Sequence, residues 1–158
     1  MPDRAPLYFE DLQPGQRFIT GEQRIEAADI VAFAREYDPQ PFHLDDAAAQ
    51  GTIFAGLAAS GWHTAALSMR LLVQSGAPIA GGIIGGGGEL AWPRPTRPGD
   101  TLRVVSEVVE ITPSRTRPER GMILVRSNTF NQLNEIVQTM ASRMVVPRRP
   151  VPEPEMEK

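Results

Sequence analysis

The stretch SGWHTAALSMRLLVQSG at residues 60–76 predicts the long helix on which the fold is built. Ser60 is a favourable N-cap, and Gly76 stands where a glycine commonly follows the last helical residue. Between them the apolar side chains are spread round almost the whole circumference, a distribution that is typical of a buried helix. A buried helix of about four turns needs a second layer around it, which the rest of the chain must supply.

Extended segments that follow the helix are predicted to form that layer. They alternate apolar and polar residues and cover residues 83–92, 101–112, 122–133 and 135–146. Turn signals at residues 98–100 and 133–135 separate neighbouring segments. One buried helix wrapped by an antiparallel meander is an α+β arrangement. The glycine-rich run at residues 81–88 lacks the following helix and the lysine of a phosphate loop, so we expect a bulge, a close backbone contact or a mobile edge.

The segments before the long helix are predicted to be shorter. Residues 15–25 form a first strand, residues 26–37 an amphipathic helix, and residues 45–50 a short turn. Residues 1–14 are expected to be a loosely structured lead-in, although Leu7, Phe9 and Leu12 could lie against the body. We therefore predict one domain over residues 1–146 and a disordered tail, rich in proline and glutamate, over residues 147–158.

The sequence YDPQPFH at residues 37–43 carries the candidate catalytic pair. Asp38 and Gln40 each precede a proline, which disfavours helical backbone, so we expect a stiff loop that presents Asp38 and His43. Carboxylate and imidazole groups are common acids and bases in enzymes. The spacing alone fits equally a turn aspartate and a core histidine without a catalytic role.

The same stretch resembles the signature of the MaoC-like dehydratases, the family that contains the (R)-specific enoyl-CoA hydratases. Asp38, Pro41 and His43 match that signature, while Gln40 stands where an asparagine is usual and Tyr37 where a small residue is usual. Residues 59–62 resemble the start of the family's central helix, and residues 92–102 resemble its proline-rich turn. The resemblance implies a single hotdog fold, in which the antiparallel sheet wraps around the central helix.

The resemblance also implies a lyase of fatty acid metabolism that interconverts trans-2-enoyl and (R)-3-hydroxyacyl thioesters, with coenzyme A as the expected carrier. Asp38 and His43 would hold one water between them, and which of the two is the formal base stays open. Gly61, at the first position of the helix, would offer its N–H to the developing oxyanion. The alternative for Gly61 is a turn residue without contact to substrate, and we expect Gly61→Ala to be mild.

Three further residues are expected to bind substrate: Gln40, Ser60 and Trp62. Gln40 is either a donor that positions the catalytic pair or a solvated loop side chain. Trp62, Met69 and Trp92 either shape an acyl tunnel or pack in the core, and core packing is the favoured reading. We expect His63 to be a core or interface residue rather than a catalytic one.

The composition argues against several functional classes. A net charge of −3 gives no basic surface for nucleic acid or an anionic membrane. The chain has no cysteine and no His, Asp and Glu set with metal-ligand spacing, so we expect neither a metal nor another cofactor. No apolar stretch has the length of a membrane span or the form of a signal peptide, and a cytoplasmic location is the default expectation.

An acyl-CoA thioester is the expected partner, and we expect at least a homodimer because the sheet leaves edges to cover. Two alternatives for the function stay open. A hotdog thioesterase commonly carries a carboxylate on the central helix, and residues 60–75 contain none. A non-catalytic acyl-thioester-binding module would not need both Asp38 and His43. The acyl chain length and branching, and the choice between coenzyme A and a carrier protein, are undetermined.

Overall fold

A computed structural model describes residues 4–152 of the chain. Its helices are a short 3-10 helix at Phe9–Asp11, α1 at Ala27–Tyr37, α2 at Pro41–Leu44, α3 at Asp46–Gln50 and α4 at Gly61–Ser75. Its strands are β1 at Arg17–Ile19, β2 at Gln23–Arg24, β3 at Ile84–Ala91, β4 at Thr101–Pro113, β5 at Arg120–Phe130 and β6 at Ile136–Pro147. None of the helices in these residues is long and apolar enough to cross a membrane.

The strands form one antiparallel sheet in the order β1-β4-β5-β6-β3, and β2 also pairs with β4. Along β4 and β5 buried and exposed residues alternate, so that one face of the sheet points inward and the other toward solvent. The inward face packs on α4, where Leu71 and Leu72 meet Leu102, Val104 and Val137. This confirms the predicted α+β arrangement of a sheet around a central helix.

The predicted elements lie close to the observed ones except before α1 and at α2. Before α1 the structure has two short strands, β1 and β2, where one strand was expected from residues 15–25. The break falls at Thr20, whose Oγ1 accepts the backbone N–H of Val104 at 2.9 Å. The side chain of Thr20 thereby takes a hydrogen bond that a continuous backbone ladder would have used.

Helix α4 is buried on one side only, which corrects the prediction that it is buried nearly all round. The side chains of Trp62, Met69 and Val73 are 61%, 40% and 65% exposed. The sheet covers the opposite side of α4, where the polar residues Thr64 and Ser68 are buried. Their hydroxyls bond to Thr96, in the loop after β3, and to Thr129 of β5 at 2.9 and 2.7 Å. Buried hydroxyl pairs thus fix α4 against that loop and the sheet.

The two ends of the described chain are more ordered than expected. In the lead-in predicted to be loose, Phe9 and Leu12 are core residues, 5% and 4% exposed. The predicted tail was placed too early, because Pro147 ends β6 and Arg149 contacts Asp11 through its guanidinium. The neighbouring Arg148 bonds to Glu10. Residues 1–3 of the lead-in and 153–158 of the tail lie outside the described residues.

Most of the glycine-rich run lies in β3, an edge strand whose one partner strand among residues 4–152 is β6. The pairing slips between Gly85 and Gly88, which is the expected bulge. At Gly88 the backbone approaches β6 so closely that a Cβ atom would lie 2.3 Å from the carbonyl oxygen of Ala141. The glycine run therefore serves the packing of an irregular edge strand, as predicted, and not a phosphate site.

Gly88→Ala should destabilise the fold by about 1–3 kcal/mol, because the added methyl group would push β3 away from the backbone of β6. Urea unfolding measures the change. Gly86→Ala is the matched control, since its Cβ would have no neighbour closer than 3.7 Å. Equal effects of the two substitutions would show that the close contact at Gly88 carries no stability.

Candidate active site

Asp38 lies at the C-terminal end of α1, where Pro39 stops the helix. The side chain of Gln40 turns back and donates from Nε2 to Asp38 Oδ1 at 2.6 Å. Of the two readings of Gln40, the geometry supports the positioning donor. The bond occupies one carboxylate oxygen and leaves Oδ2 free to face His43.

His43 lies in α2, a single helical turn, which corrects the expectation of a stiff loop through residue 43. Pro41 is the first residue of that turn, where proline's fixed φ suits a helix and its missing N–H costs nothing. The ring is only 5% exposed, and its Nδ1 lies 2.6 Å from the carbonyl oxygen of Ala58. A carbonyl can only accept, so Nδ1 carries a proton and Nε2 is the nitrogen available for chemistry.

Nε2 of His43 lies 3.4 Å from Oδ2 of Asp38. The separation is longer than an ordinary N–H···O hydrogen bond, so the two groups face each other without a tight direct bond. A water molecule beside the pair could therefore bond to both atoms. The predicted catalytic pair is brought together in space.

The environment of Asp38 favours the ionised carboxylate. Burial raises the pKa of the Asp38 carboxyl, but hydrogen bonds from Ser60 and Gln40 and the nearby His43 ring outweigh it, so the net pKa lies below its ordinary value. A group with a lowered pKa stays charged down to more acidic pH than a free aspartate. At neutral pH Asp38 is therefore a proton acceptor.

Gly61 is the first residue of α4, as predicted. Within residues 4–152 its backbone N–H has no hydrogen-bond acceptor. The N-terminus of a fifteen-residue helix adds positive potential at this donor. Gly61 and His43 line the same open cleft, of about 410 Å³, whereas Asp38 reaches that cleft only through its contact with His43.

The walls of the cleft come from the loops before α4 and after β3. The residues that complete the lining are Ile53, Phe54, Ala59, Thr64, Trp92, Pro93, Arg94, Pro95 and Thr96. Arg97 holds the wall before α4 by donating to the carbonyl oxygens of Phe54, Gly56 and Leu57. No motif in the sequence pointed to Arg97 or to the carbonyl of Ala58. Arg97 donates to backbone carbonyl groups, and the Ala58 contact is itself a backbone carbonyl. A motif records side chains and not these backbone acceptors.

Trp92 covers Gly61 directly. A Cβ atom on Gly61 would lie 2.6 Å from the Trp92 ring. The indole is held in place by its Nε1, which donates to the side-chain oxygen of Gln138 at 2.9 Å. Gln138 is 1% exposed, so the indole is anchored to a buried residue of the sheet. Trp92 belongs to the cleft wall, whereas the sequence favoured core packing.

Ser60 and Trp62, the other two predicted substrate contacts, differ in burial. Ser60 is fully buried, and its Oγ accepts the N–H of Trp62 at 3.2 Å. Binding of substrate by Ser60 stays a prediction. Trp62 is exposed and meets Trp92 edge to face, with ring centroids 5.2 Å apart.

His63 is a core residue, as expected. Its ring stacks on Phe33 of α1, with centroids 4.5 Å apart and planes 3° from parallel. Burial lowers the pKa of His63, and Asp29 opposes part of that shift. The Nδ1 atom is buried without a hydrogen-bond partner among the described residues. The neutral ring joins the helix that ends at Asp38 to the helix that begins at Gly61.

Known proteins resemble this chain over most of its length. The model of the MaoC like domain matches residues 11–127, well over half of the chain. The chain belongs to the MaoC-like dehydratase family. The family assignment confirms the hotdog fold.

Three relatives illustrate the similarity. The crystal structure of a MaoC-like dehydratase from Rhodospirillum rubrum is 58% identical, with a TM-score of 0.90 over 92% of this chain and 99% of that one. The (R)-hydratase PhaJ1 from Pseudomonas aeruginosa is 27% identical, with a TM-score of 0.71 over 97% of both chains. A 3-hydroxybutyryl-CoA dehydratase from Methylorubrum extorquens is 35% identical over 74% of this chain and 73% of that protein.

Gly61→Ala should destabilise the protein by about 1–3 kcal/mol, although we expected a mild effect from the sequence. Helix propensity favours alanine here, but the methyl group would collide with the Trp92 ring. Thermal or urea unfolding measures the loss, and combining Gly61→Ala with Trp92→Leu should recover part of it. Gly51→Ala is the control, because a Cβ there meets nothing within 4 Å. Strictly additive effects of the two site substitutions would contradict the contact.

Proposed function

We propose that this protein hydrates trans-2-enoyl thioesters to (R)-3-hydroxyacyl thioesters and catalyses the reverse dehydration. The observation that carries the proposal is the pair formed by Asp38 Oδ2 and His43 Nε2, 3.4 Å apart, beside a cleft lined by Gly61, whose N–H has no acceptor among the described residues. These groups match the three demands of the reaction: to activate water, to deliver a proton, and to stabilise an oxyanion.

In the proposed reaction a water molecule is held by Oδ2 of Asp38 and Nε2 of His43. The water oxygen forms a bond to C3 of the enoyl group while one of its protons passes to the pair. The electrons of the double bond move toward the thioester carbonyl, and its oxygen becomes negative. The Gly61 N–H stabilises that charge. The pair then returns a proton to C2, which leaves a hydroxyl on C3 and completes the addition of water.

Asp38 and His43 act as a coupled pair. Asp38 is ionised and fixed by Gln40, while His43 carries a proton on Nδ1 and turns Nε2 toward Asp38. The proton taken from water is shared between the two groups.

Coenzyme A is the carrier we propose, because the Methylorubrum extorquens relative is a 3-hydroxybutyryl-CoA dehydratase. The alternative of a hotdog thioesterase finds no carboxylate on α4. The two reactions are separable in one cuvette. Hydration removes the enoyl-thioester absorbance without releasing free thiol, whereas hydrolysis releases free thiol.

We further propose that two copies of this chain form a dimer through the open side of α4 and the free edge of β3. The exposed residues Trp62, Met69 and Val73 form an apolar stripe along α4. The β3 strand is almost entirely exposed and leaves backbone groups on its outer edge without a neighbouring strand among the described residues. A second copy could cover both features at once.

Asp38→Asn should lower kcat/KM for hydration by ~10²–10⁴-fold, because the amide cannot accept the proton. His43→Asn should have an effect of the same size. Asparagine is preferable to alanine at position 43, because His43 is buried and the amide can still donate to the Ala58 carbonyl. The assay follows the enoyl-CoA absorbance, and Glu36→Gln on the exposed face of α1 is the matched control. Near-normal turnover in a folded Asp38 or His43 variant would show that the pair is not catalytic.

Light scattering at micromolar concentration should give at least twice the 17.3 kDa mass of one chain. Val73→Lys should lower that mass, since a charge at the end of the apolar stripe opposes its burial. Glu22→Lys, at an exposed position outside the stripe, is the charge-change control. A monomeric wild-type protein would rule out the proposed interface.

A further inference from the structure

The backbone of Ala58 contacts the turn that carries His43 in two places. Its carbonyl oxygen accepts the proton on His43 Nδ1 at 2.6 Å, and its N–H donates to the carbonyl of Phe42 at 3.2 Å. Ala58 lies in the loop between α3 and α4, outside any helix or strand. No regular hydrogen-bond ladder fixes its position, so other contacts must hold the atom on which the histidine rests.

The guanidinium of Arg97 fixes the loop immediately before Ala58. Its Nη1 donates to the carbonyl oxygens of Gly56 and Leu57 at 2.9 and 3.3 Å, and its Nη2 donates to the carbonyl of Phe54. A guanidinium suits this task because its donors lie in one rigid plane and can meet several acceptors together. One partly buried side chain thus gathers three carbonyl groups within four residues of Ala58.

Two further hydrogen bonds hold the peptide groups on either side of Ala58. Before it, the N–H of Leu57 donates to Oδ1 of Asp46 at 2.8 Å. After it, the N–H of Ala59 donates to the carbonyl of Thr96 at 2.9 Å. Thr96 directly precedes the arginine in the chain and is 2% exposed. The loop after β3 therefore holds Ala58 from both sides.

The backbone shape of the held loop needs such support. Ala55 has a φ of 49°, in the left-handed region that residues with a Cβ rarely adopt. A backbone of this kind persists only where the surrounding structure fixes it. The three carbonyl groups that bond to Arg97 lie on both sides of Ala55, so the arginine bonds across the strained residue.

Arg97 is itself anchored to the sheet. Its backbone N–H donates to Oδ2 of Asp100 at 2.8 Å. Asp100 is 6% exposed, and its Oδ1 accepts from the side chain of Gln132, in the turn between β5 and β6, at 2.9 Å. The position of the guanidinium is thereby referred to the ends of three strands.

We propose that Arg97 is a positioning residue for His43. By fixing the carbonyl groups before Ala58, it fixes the acceptor of the His43 Nδ1 proton and keeps Nε2 directed at Asp38. Arg97 is not among the residues that line the cleft, so its effect passes through the backbone and not through substrate. The proposal rests on the function proposed above, because His43 matters to turnover only if that reaction takes place.

Kinetics of wild type, Arg97→Ala and Arg97→Lys test the proposal with crotonyl-CoA or trans-2-octenoyl-CoA, whichever wild type hydrates faster. Arg97→Ala should lower kcat by up to ~10²-fold, the effect of a slightly displaced catalytic group, and leave KM nearly unchanged. Millimolar guanidinium chloride should restore part of that loss, and sodium chloride at equal ionic strength should not. Arg97→Lys should be intermediate, because an ammonium lacks the planar fork. Arg103→Ala, which removes an arginine bonded to Asn134 away from the cleft, is the control and should keep the wild-type kcat.

NMR of protein labelled with 15N-histidine separates positioning of the ring from plain stabilisation of the loop. The chain has two histidines, so His63 is an internal reference and His43→Asn assigns the signals. In wild type the Nδ1 proton of His43 should exchange slowly with solvent, because it is buried and bonded to Ala58. In Arg97→Ala that proton should exchange rapidly and regain protection with guanidinium, while the ring signals of His63 stay unchanged.

A folded Arg97→Ala variant with the wild-type kcat would overturn the proposal. Lost turnover with an unchanged His43 Nδ1 signal would also overturn it, because the arginine would then act on stability alone. If Arg97→Ala does not fold, Arg97→Lys is judged by the same two measurements. A wild-type protein that hydrates neither thioester would refute the proposed function, whereas the NMR comparison would still decide whether Arg97 positions the ring.

Discussion

The hydrogen bond from His43 Nδ1 to the carbonyl oxygen of Ala58 is the contact on which the site depends. It joins α2 to the segment that leads into α4, and the backbone of that segment returns a bond from the Ala58 N–H to the carbonyl of Phe42. The same bond keeps a proton on Nδ1 and holds the ring with Nε2 toward Asp38. One buried contact therefore sets both the position and the protonation pattern of the histidine.

The start of α4 gathers the other parts of the site around that contact. Ser60 caps the helix and lowers the pKa of Asp38, Gly61 opens its N–H to the cleft, and His63 stacks on α1 behind them. Their roles differ because Ser60 acts through its hydroxyl, Gly61 through its backbone N–H and His63 through its ring. A short segment can in this way serve helix formation, electrostatics and packing together.

The sheet supplies rigidity at the places where the site needs it. Thr64 and Ser68 bond to hydroxyls outside α4, and Gln138 on β6 holds the indole of Trp92. Buried polar pairs of this kind stabilise little in net terms, but they are costly to break, so they favour one alignment of helix and sheet. The geometry at Gly61 and Trp92 follows from that alignment.

Local sequence patterns were enough to predict the architecture and a candidate catalytic pair. The apolar pattern of residues 60–75 and the alternation after residue 83 predicted a helix and a meander, and the YDPQPFH stretch pointed to Asp38 and His43. Three features came from tertiary packing alone: His43 is buried in a helical turn, one side of α4 is open, and Trp92 covers Gly61. Periodicity and turn chemistry are local properties of the chain, whereas burial and contact between residues thirty positions apart depend on how the sheet curls around the helix.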